Sequence, residues 1–288
     1  MNEHYIKEIE IKNYKCFTNF QAQGFARVNL IGGKNNVGKT AFMEACYISV
    51  QEKYFALNDI VTTRYFLDIF DDLRDEVGSR YITNFIQEKI NGIGSVDIQS
   101  TQSQIKENIR FISTYKTENK LFNQWYGVIV ENSLEDLFDE YISLFDSEFD
   151  RFRMINAQPK LRVKSEQKFY NINELGDGFS KYISYVAMML VHRDGTIFID
   201  EIENGIHYTK LDDMWRVILK LSRENSVQIF ATTHSKECIE SYARVAKELQ
   251  KEEIAFVSLY KERDTQIKSV VFDYDAIQTR LELDLDNR

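Results

Sequence analysis

The feature that most constrains this chain is a glycine-rich stretch near its N-terminus, LIGGKNNVGKT at residues 30–40. Gly33 to Thr40 fit the pattern G-x-x-x-x-G-K-[ST], in which backbone N–H groups and the start of a helix surround phosphate oxygens. An apolar run, ARVNLI, precedes the pattern, and AFMEACYISV follows it. We therefore expect a strand, then a phosphate loop, then a helix that begins near Lys39.

This loop predicts a nucleotide site in which the side chains have separate roles. Lys39 is expected to reach the β- and γ-phosphate oxygens, and the Thr40 hydroxyl to bind Mg²⁺. The residues predicted to contact the nucleotide are Gly33, Asn35, Asn36, Val37, Gly38, Lys39, Thr40 and Ala41. Phosphate contacts do not read the base, and no guanine-reading N-K-x-D element stands in a fitting place, so the residues alone leave the purine open.

Two further stretches place polar side chains at the ends of apolar strands. TIFIDEIENGIH, residues 196–207, ends a strand in Asp200 and Glu201, where ligands of open α/β sheets bind. Asp200 is predicted to hold Mg²⁺, and Glu201 to orient and deprotonate the attacking water. VQIFATTHS places His234 after another strand, where it is a candidate to contact the γ-phosphate or to position that water.

A second glycine pair opens an amphipathic helix in NELGDGFSKY, residues 173–182. A helix N-terminus with exposed N–H groups is an anion site. Because the chain already contains one complete phosphate loop, the simplest use of a second is to bind the γ-phosphate that another chain holds.

The ordered set of these motifs resembles the ATPase heads of ABC type. Within that group the chain is similar to the OLD-like (overcoming lysogenization defect) ATPases, relatives of the RecF and SMC heads. The resemblance rests on IEIKNYKCF, GGKNNVGKT, LGDGFSKY, DEIENGIH and ATTHS, and covers residues 1–50 and 170–240 well. It implies an α/β P-loop fold of ABC-head type, with a mixed or parallel central sheet flanked by helices, and ATP as the nucleotide.

The same resemblance implies a homodimer that sandwiches two ATP molecules. The residues that would then act on the partner's ATP are Gly176, Asp177, Gly178 and Ser180. The segment 203–207 would face the opposite subunit, although a plain strand-to-helix connection is the alternative. The usual Leu-Ser-Gly-Gly is replaced by Leu-Gly-Asp-Gly, so the charge of Asp177 would weaken ATP-driven dimerisation unless it caps its helix or contacts the partner. Gln51 and Gln99 are candidates for the glutamine loop.

The middle of the chain differs from both ends. We expect the ATPase head in residues 1–51 and 166–288, and an insertion of antiparallel strands and acidic amphipathic helices in residues 52–165. Helical spacing is found in residues 55–73 and 134–152, with one apolar stripe from Leu134 to Phe152. The short runs GSVDIQS, IRFISTYK and YGVIVEN predict antiparallel strands.

The composition and charge of the chain predict its cellular location and limit its partners. The 288 residues contain no run long and apolar enough to span a bilayer and no apolar signal core near the start, which predicts a cytoplasmic protein with no membrane contact. The three cysteines lack metal-ligand spacing and are expected to be reduced. A net charge of −9 argues against an overall positive surface for nucleic acid.

Three functions are compatible with these motifs. The first is an ATP-hydrolysing switch for a separate effector. OLD-family proteins carry a Toprim nuclease domain, and we do not expect such a domain in the short remainder after the last strand. The resemblance also suggests an anti-phage role. The second is a RecF- or SMC-like DNA-repair ATPase, for which Lys160, Arg162, Lys164 and Lys168 form a basic run, unless they are a solvated strand face. The third is a nucleotide-binding regulator with negligible turnover.

Overall fold

The computed structural model describes residues 6–51, 56, 60, 97–100, 109–112, 119–250, 253–262 and 266–282. Within them the strands are β1 (Glu8–Tyr14), β2 (Phe17–Gln23), β3 (Val28–Gly32), β4 (Asp97–Ser100), β5 (Ile109–Ile112), β6 (Phe149–Ile155), β7 (Gln158–Val163), β8 (Lys168–Asn171), β9 (Thr196–Ile199), β10 (Gln228–Thr232), β11 (Ile254–Lys261) and β12 (Ile267–Phe272). The helices are α1 (Lys39–Val50), α2 (Asn119–Glu131), α3 (Glu135–Phe145), α4 (Asp177–Val191), α5 (Leu211–Glu224), α6 (Lys236–Glu248) and α7 (Tyr274–Glu282).

A six-stranded sheet of order β12-β11-β3-β10-β9-β5 forms the centre of the fold. Five of its strands run parallel, and β12 pairs antiparallel with β11 at one edge. Every residue of β3, β9 and β10 is buried, because helices or strands cover both faces of the sheet. The predicted α/β fold with buried strands is confirmed.

Alternating strand residues divide the apolar core between the two faces of this sheet. On one face Ile197 and Ile229 pack with α4, α5 and α6. On the other face Phe198 and Phe230 pack with α1 and the hairpin β1–β2. The side-chain period of two in a strand produces this division.

Two small antiparallel sheets flank the central one. The first has the order β2-β1-β4, and the second the order β6-β7-β8. The chain passes from β8 through a short 3-10 helix, Ile172–Glu174, into α4. The second small sheet therefore connects directly to the helix that begins with the glycine pair.

Several predictions for the middle of the chain need correction. Residues 126–132, predicted as a strand, lie in or directly after α2, and β5 is parallel to β9 rather than antiparallel to a neighbour. The predicted helix over 134–152 ends at Phe145, so Phe149 and Phe152 reach the core from β6. Apart from Ala56 and Ile60, the helix predicted over 55–73 lies outside the described residues.

The division into a head and an insertion stays a prediction. Strands from residues 52–165 nevertheless pair with strands of the head: β4 with β1, β5 with β9, and β7 with β8. No helix in the part of the chain that the structure describes is long and apolar enough to cross a membrane.

Candidate nucleotide site

The carboxyl ends of three adjacent parallel strands bring the predicted motifs together. Strand β10 lies between β3 and β9, and all three run in the same direction. The phosphate loop follows β3, the pair Asp200-Glu201 follows β9, and His234 follows β10. Residues far apart in sequence thus meet at one edge of the sheet, where open α/β sheets bind ligands.

The phosphate loop has the backbone that the glycine pattern requires. Gly33 has a φ of 140°, and a Cβ there would overlap the carbonyl oxygen of Leu259 and lie 3.0 Å from Val37 Cγ1. Helix α1 starts without a side-chain cap, and its first internal bond runs from Phe42 N–H to the Gly38 carbonyl. The N–H groups of the first turn are therefore available to an anion.

Lys39 is the buried cation of this loop. Only 4% of its surface is exposed, and its Nζ donates to the carbonyl oxygens of Gly33 (2.7 Å) and Lys34 (3.0 Å). Burial lowers the pKa of the ammonium group, while the carboxylates of Glu203, Asp200 and Glu201 act in the opposite direction. The ammonium group thus lies against the loop, and the acidic groups that follow β9 are close enough to stabilise its charge.

Asp200 joins the ends of all three strands through hydrogen bonds. Its Oδ1 accepts from the Thr40 hydroxyl at 3.2 Å and from the Thr232 hydroxyl at 2.6 Å. Thr232 Oγ1 in turn accepts from the backbone N–H of Glu201 at 2.8 Å. Thr232 is only 1% exposed, and the sequence motifs predict no role for it. The two threonines that precede His234 are the only sequence feature that points to this position.

The oxygens of Thr40 and Asp200 form a donor set that suits Mg²⁺. Magnesium binds through one or two carboxylates together with phosphate and water oxygens, rather than in an all-protein cage. Among the described residues no group of three or more His, Cys, Asp and Glu side chains could hold a metal. A single carboxylate beside a hydroxyl agrees with a metal shared with phosphates.

Glu201 and His234 lie side by side at the open edge of the site. His234 Nε2 is 3.4 Å from Glu201 Oε1, and both side chains are more than one third exposed. Glu201 has a φ of 49°, a left-handed conformation that is costly for a residue with a side chain. Ten other non-glycine residues among those described also have a positive φ, so this conformation turns the chain after β9 but does not by itself identify the site.

Glu203 positions the loop that carries His234, a contact that no sequence motif indicates. Its Oε1 accepts from the backbone N–H groups of His234 at 2.8 Å and of Ser235 at 3.2 Å. Asn204 Nδ2 also lies 3.5 Å from Glu201 Oε2. The residues after β9 thereby position both Glu201 and His234.

The second glycine motif lies at the start of α4, as predicted, but only half of it faces outward. Gly176 and Asp177 are exposed, whereas Gly178 and Ser180 are buried, Ser180 to 3% exposure. Ser180 has only a small accessible surface in the single chain, and its predicted contact with a partner's phosphate stays a prediction. Gly178 is buried against Gly205 of the same chain.

The structure describes the positions of both glutamine candidates, Gln51 and Gln99. Gln51 follows the last residue of α1, roughly 16 Å along the helix axis from Thr40 at 1.5 Å per residue. Gln99 is exposed on β4, opposite Glu10 of β1. Gln51 is therefore too distant for its side chain to reach the Thr40 hydroxyl, and neither residue explains how a glutamine would contact the metal.

Comparison with known proteins agrees with this fold and with a nucleotide-hydrolysing protein. A curated relative, the "ATP/GTP phosphatase" of Helicobacter pylori, is 24% identical, and the alignment covers 84% of this chain and 89% of that protein. An SMC head bound to the C-terminal winged-helix domain of ScpA superposes with a TM-score of 0.58 at 12% identity, over 93% of this chain and 98% of that one. Clostridium perfringens CbiO1, part of an ABC transporter complex, gives 0.52 at 9% identity, over 97% and 93%.

The fold and the phosphate loop define a P-loop ATPase with the architecture of ABC and SMC heads. Residues 28–240 match the AAA_21 family, described as "AAA domain, putative AbiEii toxin, Type IV TA system". The chain belongs to this family.

Proposed function

We propose that this ATPase is a dimeric switch, which closes around two ATP molecules and controls a separate effector protein. The observation that carries the proposal is the hydrogen-bonded set Thr40–Asp200–Thr232–Glu201, which joins the phosphate loop to the candidate base. One chain therefore supplies both the candidate metal ligands and the candidate base. None of these four residues covers the γ-phosphate from the opposite side, and a second chain is needed for that contact.

Each cis residue has a role in hydrolysis that follows from its position. Lys39 and the N–H groups at the start of α1 bind the phosphates, and Thr40 and Asp200 would hold Mg²⁺, which would supply positive charge to offset that of the phosphates. Glu201 accepts a proton from the attacking water as general base. His234, at 3.4 Å from Glu201, orients that carboxylate and contacts the γ-phosphate.

The exposed start of α4 is the best candidate to complete the site of a second copy. Gly176 is exposed and has a φ of 102°, and nothing lies within 4 Å of a Cβ placed there, so a partner chain can approach this residue closely. The charge of Asp177 is less unfavourable than the sequence suggested, because Lys181 one turn later interacts with it electrostatically. Asp177 also stands at a helix N-terminus, where a negative charge is favoured.

The rate of ATP hydrolysis at different protein concentrations tests the composite site. Turnover per chain should rise with concentration and then level off, because a monomer holds only half of each site. Glu201→Gln should abolish turnover, whereas the exposed Glu131→Gln should behave as wild type. A turnover per chain that is independent of concentration, from a species of monomer mass, would refute the dimeric site.

By similarity to the OLD-like group, the proposed effector is another polypeptide. A nuclease of Toprim type is the candidate effector, and anti-phage defence is the candidate biological role. Affinity purification of the native protein, with ATP and with the Glu201→Gln variant, should retain this second protein in one nucleotide state. Recovery of the chain alone in both states would contradict a separate effector.

Direct binding of DNA is the second candidate function, and the outer face of the sheet β6-β7-β8 favours it. In this sheet Arg151 lies opposite Arg162, and Arg153 opposite Lys160, so all four cations share one face. Arg162 and Arg153 are paired with Asp150 and Asp139 at 2.7 and 2.9 Å. Arg151 and Lys160 form no ion pair within 4.0 Å among the described residues, although the charge of Arg151 also acts on Asp139 and Asp150.

Fluorescence anisotropy with a labelled DNA duplex distinguishes this function from the first. If DNA is the ligand, binding should weaken steeply with salt, and the double variant Arg151→Glu/Lys160→Glu should lose it while Arg223→Glu, on α5, does not. Equal binding by both variants, or none by wild type, would remove this candidate. A closed dimer with no measurable turnover would instead support the nucleotide-binding regulator.

A further inference from the structure

The start of α4 and the loop after β9 touch through two glycines of the same chain. A Cβ at residue 178 would overlap the carbonyl oxygen of Gly205 and lie 2.9 Å from Ile206 Cα. A Cβ at residue 205 would lie 3.1 Å from the Gly178 backbone N. Two backbones approach this closely only where both residues lack a side chain.

A buried lysine adds a second link between the same two segments. Lys181, on the first turn of α4, is only 7% exposed, and its charge interacts with Glu201, Asp177 and Glu203. Burial lowers the pKa of its ammonium group, and these three carboxylates oppose that shift. Tyr185, one turn further along α4, lies with its hydroxyl 3.4 Å from the Ile202 carbonyl oxygen.

The loop from Glu201 to Gly205 is therefore fixed at both ends. At one end the backbone of Glu201 is bonded to Thr232, and at the other Gly205 lies against α4. Within it, Asn204 N–H donates to the Glu201 carbonyl and Ile206 N–H to the Glu203 carbonyl, both at 2.9 Å, so the loop is compact. Only residues 202–204 separate Glu201 from Gly205, which contacts α4. A displacement of the first turn of α4 is therefore transmitted to Glu201 through a short and compact segment.

We propose that Gly178, Gly205 and Lys181 are positioning residues, through which ATP held by a partner chain sets the position of Glu201 in this chain. The inference rests on the proposed dimeric site, since the exposed Gly176 and Asp177 contact the partner's γ-phosphate there. Each subunit then hydrolyses its own ATP only while its partner also holds ATP. Turnover consequently depends on ATP concentration in a sigmoidal way.

Gly178→Ala tests the backbone contact. The added methyl group forces α4 and the loop apart by at least about 1 Å, and displacements of that size cost about 10- to 100-fold in rate. We expect kcat to fall by at least about 10-fold, with the ATP dissociation constant unchanged and the sigmoidal dependence lost. Gly127→Ala, in α2 with nothing within 4 Å of its Cβ, is the matched control and should keep wild-type kinetics.

Lys181→Gln tests the link between α4 and the Glu201 loop without adding volume to the side chain. It provides the test if Gly178→Ala does not fold. It should lower kcat and the Hill coefficient together, with ATP affinity unchanged. Wild-type kcat and sigmoidal dependence in either folded variant would overturn the inference. A different result, failure of Glu201→Gln to dimerise with ATP, would refute the dimeric site itself, so the two failures can be told apart.

Discussion

Thr232→Val probes the hydrogen bonds that join the strand ends, and its effect can be worked out from the structure. Valine has nearly the same shape, so the substitution removes the hydroxyl and leaves the packing of a 1%-exposed side chain intact. Two bonds are lost, the one donated to Asp200 at 2.6 Å and the one accepted from Glu201 N–H at 2.8 Å. Asp200 keeps its bond from Thr40.

The expected cost follows from the kinds of bond involved. A bond to a charged acceptor contributes about 1.5–3 kcal/mol and a neutral one about 1 kcal/mol. Because Asp200 is partly exposed and can turn to water, we expect a loss near the lower limit of the sum, about 2.5 kcal/mol in the free energy of unfolding. Release of the strained Glu201 backbone should also lower kcat by about 10- to 100-fold.

Urea denaturation and steady-state ATP hydrolysis measure these two effects. Thr232→Ser, which keeps the hydroxyl, is the control and should retain most of the activity. If Thr232→Val unfolds at the same urea concentration as wild type and hydrolyses ATP at the same rate, the bonds through Thr232 do not position Glu201.

Two other residues give separate predictions. Glu203→Ala removes the acceptor of the His234 and Ser235 N–H groups, so kcat should fall while ATP binding, measured by calorimetry, is kept. Glu203→Gln retains one acceptor oxygen, so its loss of kcat should be smaller. Equal kcat in wild type and both variants would show that Glu203 does not position His234. Burial lowers the pKa of His192 from 6.5 to about 4, so the unfolded state takes up the proton first as pH falls. The free energy of unfolding should drop by up to about 3 kcal/mol between pH 6.5 and 4, and be unaffected by this group above pH 6.5. His192→Gln should remove this part of the pH dependence in urea titrations, and an unchanged slope would refute the assignment.

The sequence predicted those parts of the site that are local in the chain. The phosphate loop and the acids after β9 are recognisable because each motif, with its flanking strand and helix, is one continuous segment. Thr232, Glu203 and Gly205 act through contacts with residues distant in sequence, so the motifs indicate the segments that contain them but not their partners. Their roles depend on the strand order, which places β10 between β3 and β9.

The same distinction explains the errors in the middle of the chain. YGVIVEN has the β-branched residues of a strand, yet it lies in the α2 region, where Trp125 and Ile129 pack into the core at helical spacing. Phe149 and Phe152 continue an apolar spacing of three and four residues, but the bulge in β6 between Phe149 and Arg151 lets both point inward from a strand. Tertiary packing overrides local preference in both cases.

The molecular mass of Glu201→Gln in solution, with and without ATP and Mg²⁺, tests the central claim most directly. The variant retains every phosphate contact and the bond that its backbone N–H donates to Thr232 Oγ1, so it should bind ATP without hydrolysing it. Light scattering after size-exclusion chromatography should then give twice the chain mass of 34.0 kDa with ATP, and the monomer mass with ADP or with Lys39→Ala in the same background. A monomer at saturating ATP would contradict the composite, two-chain site.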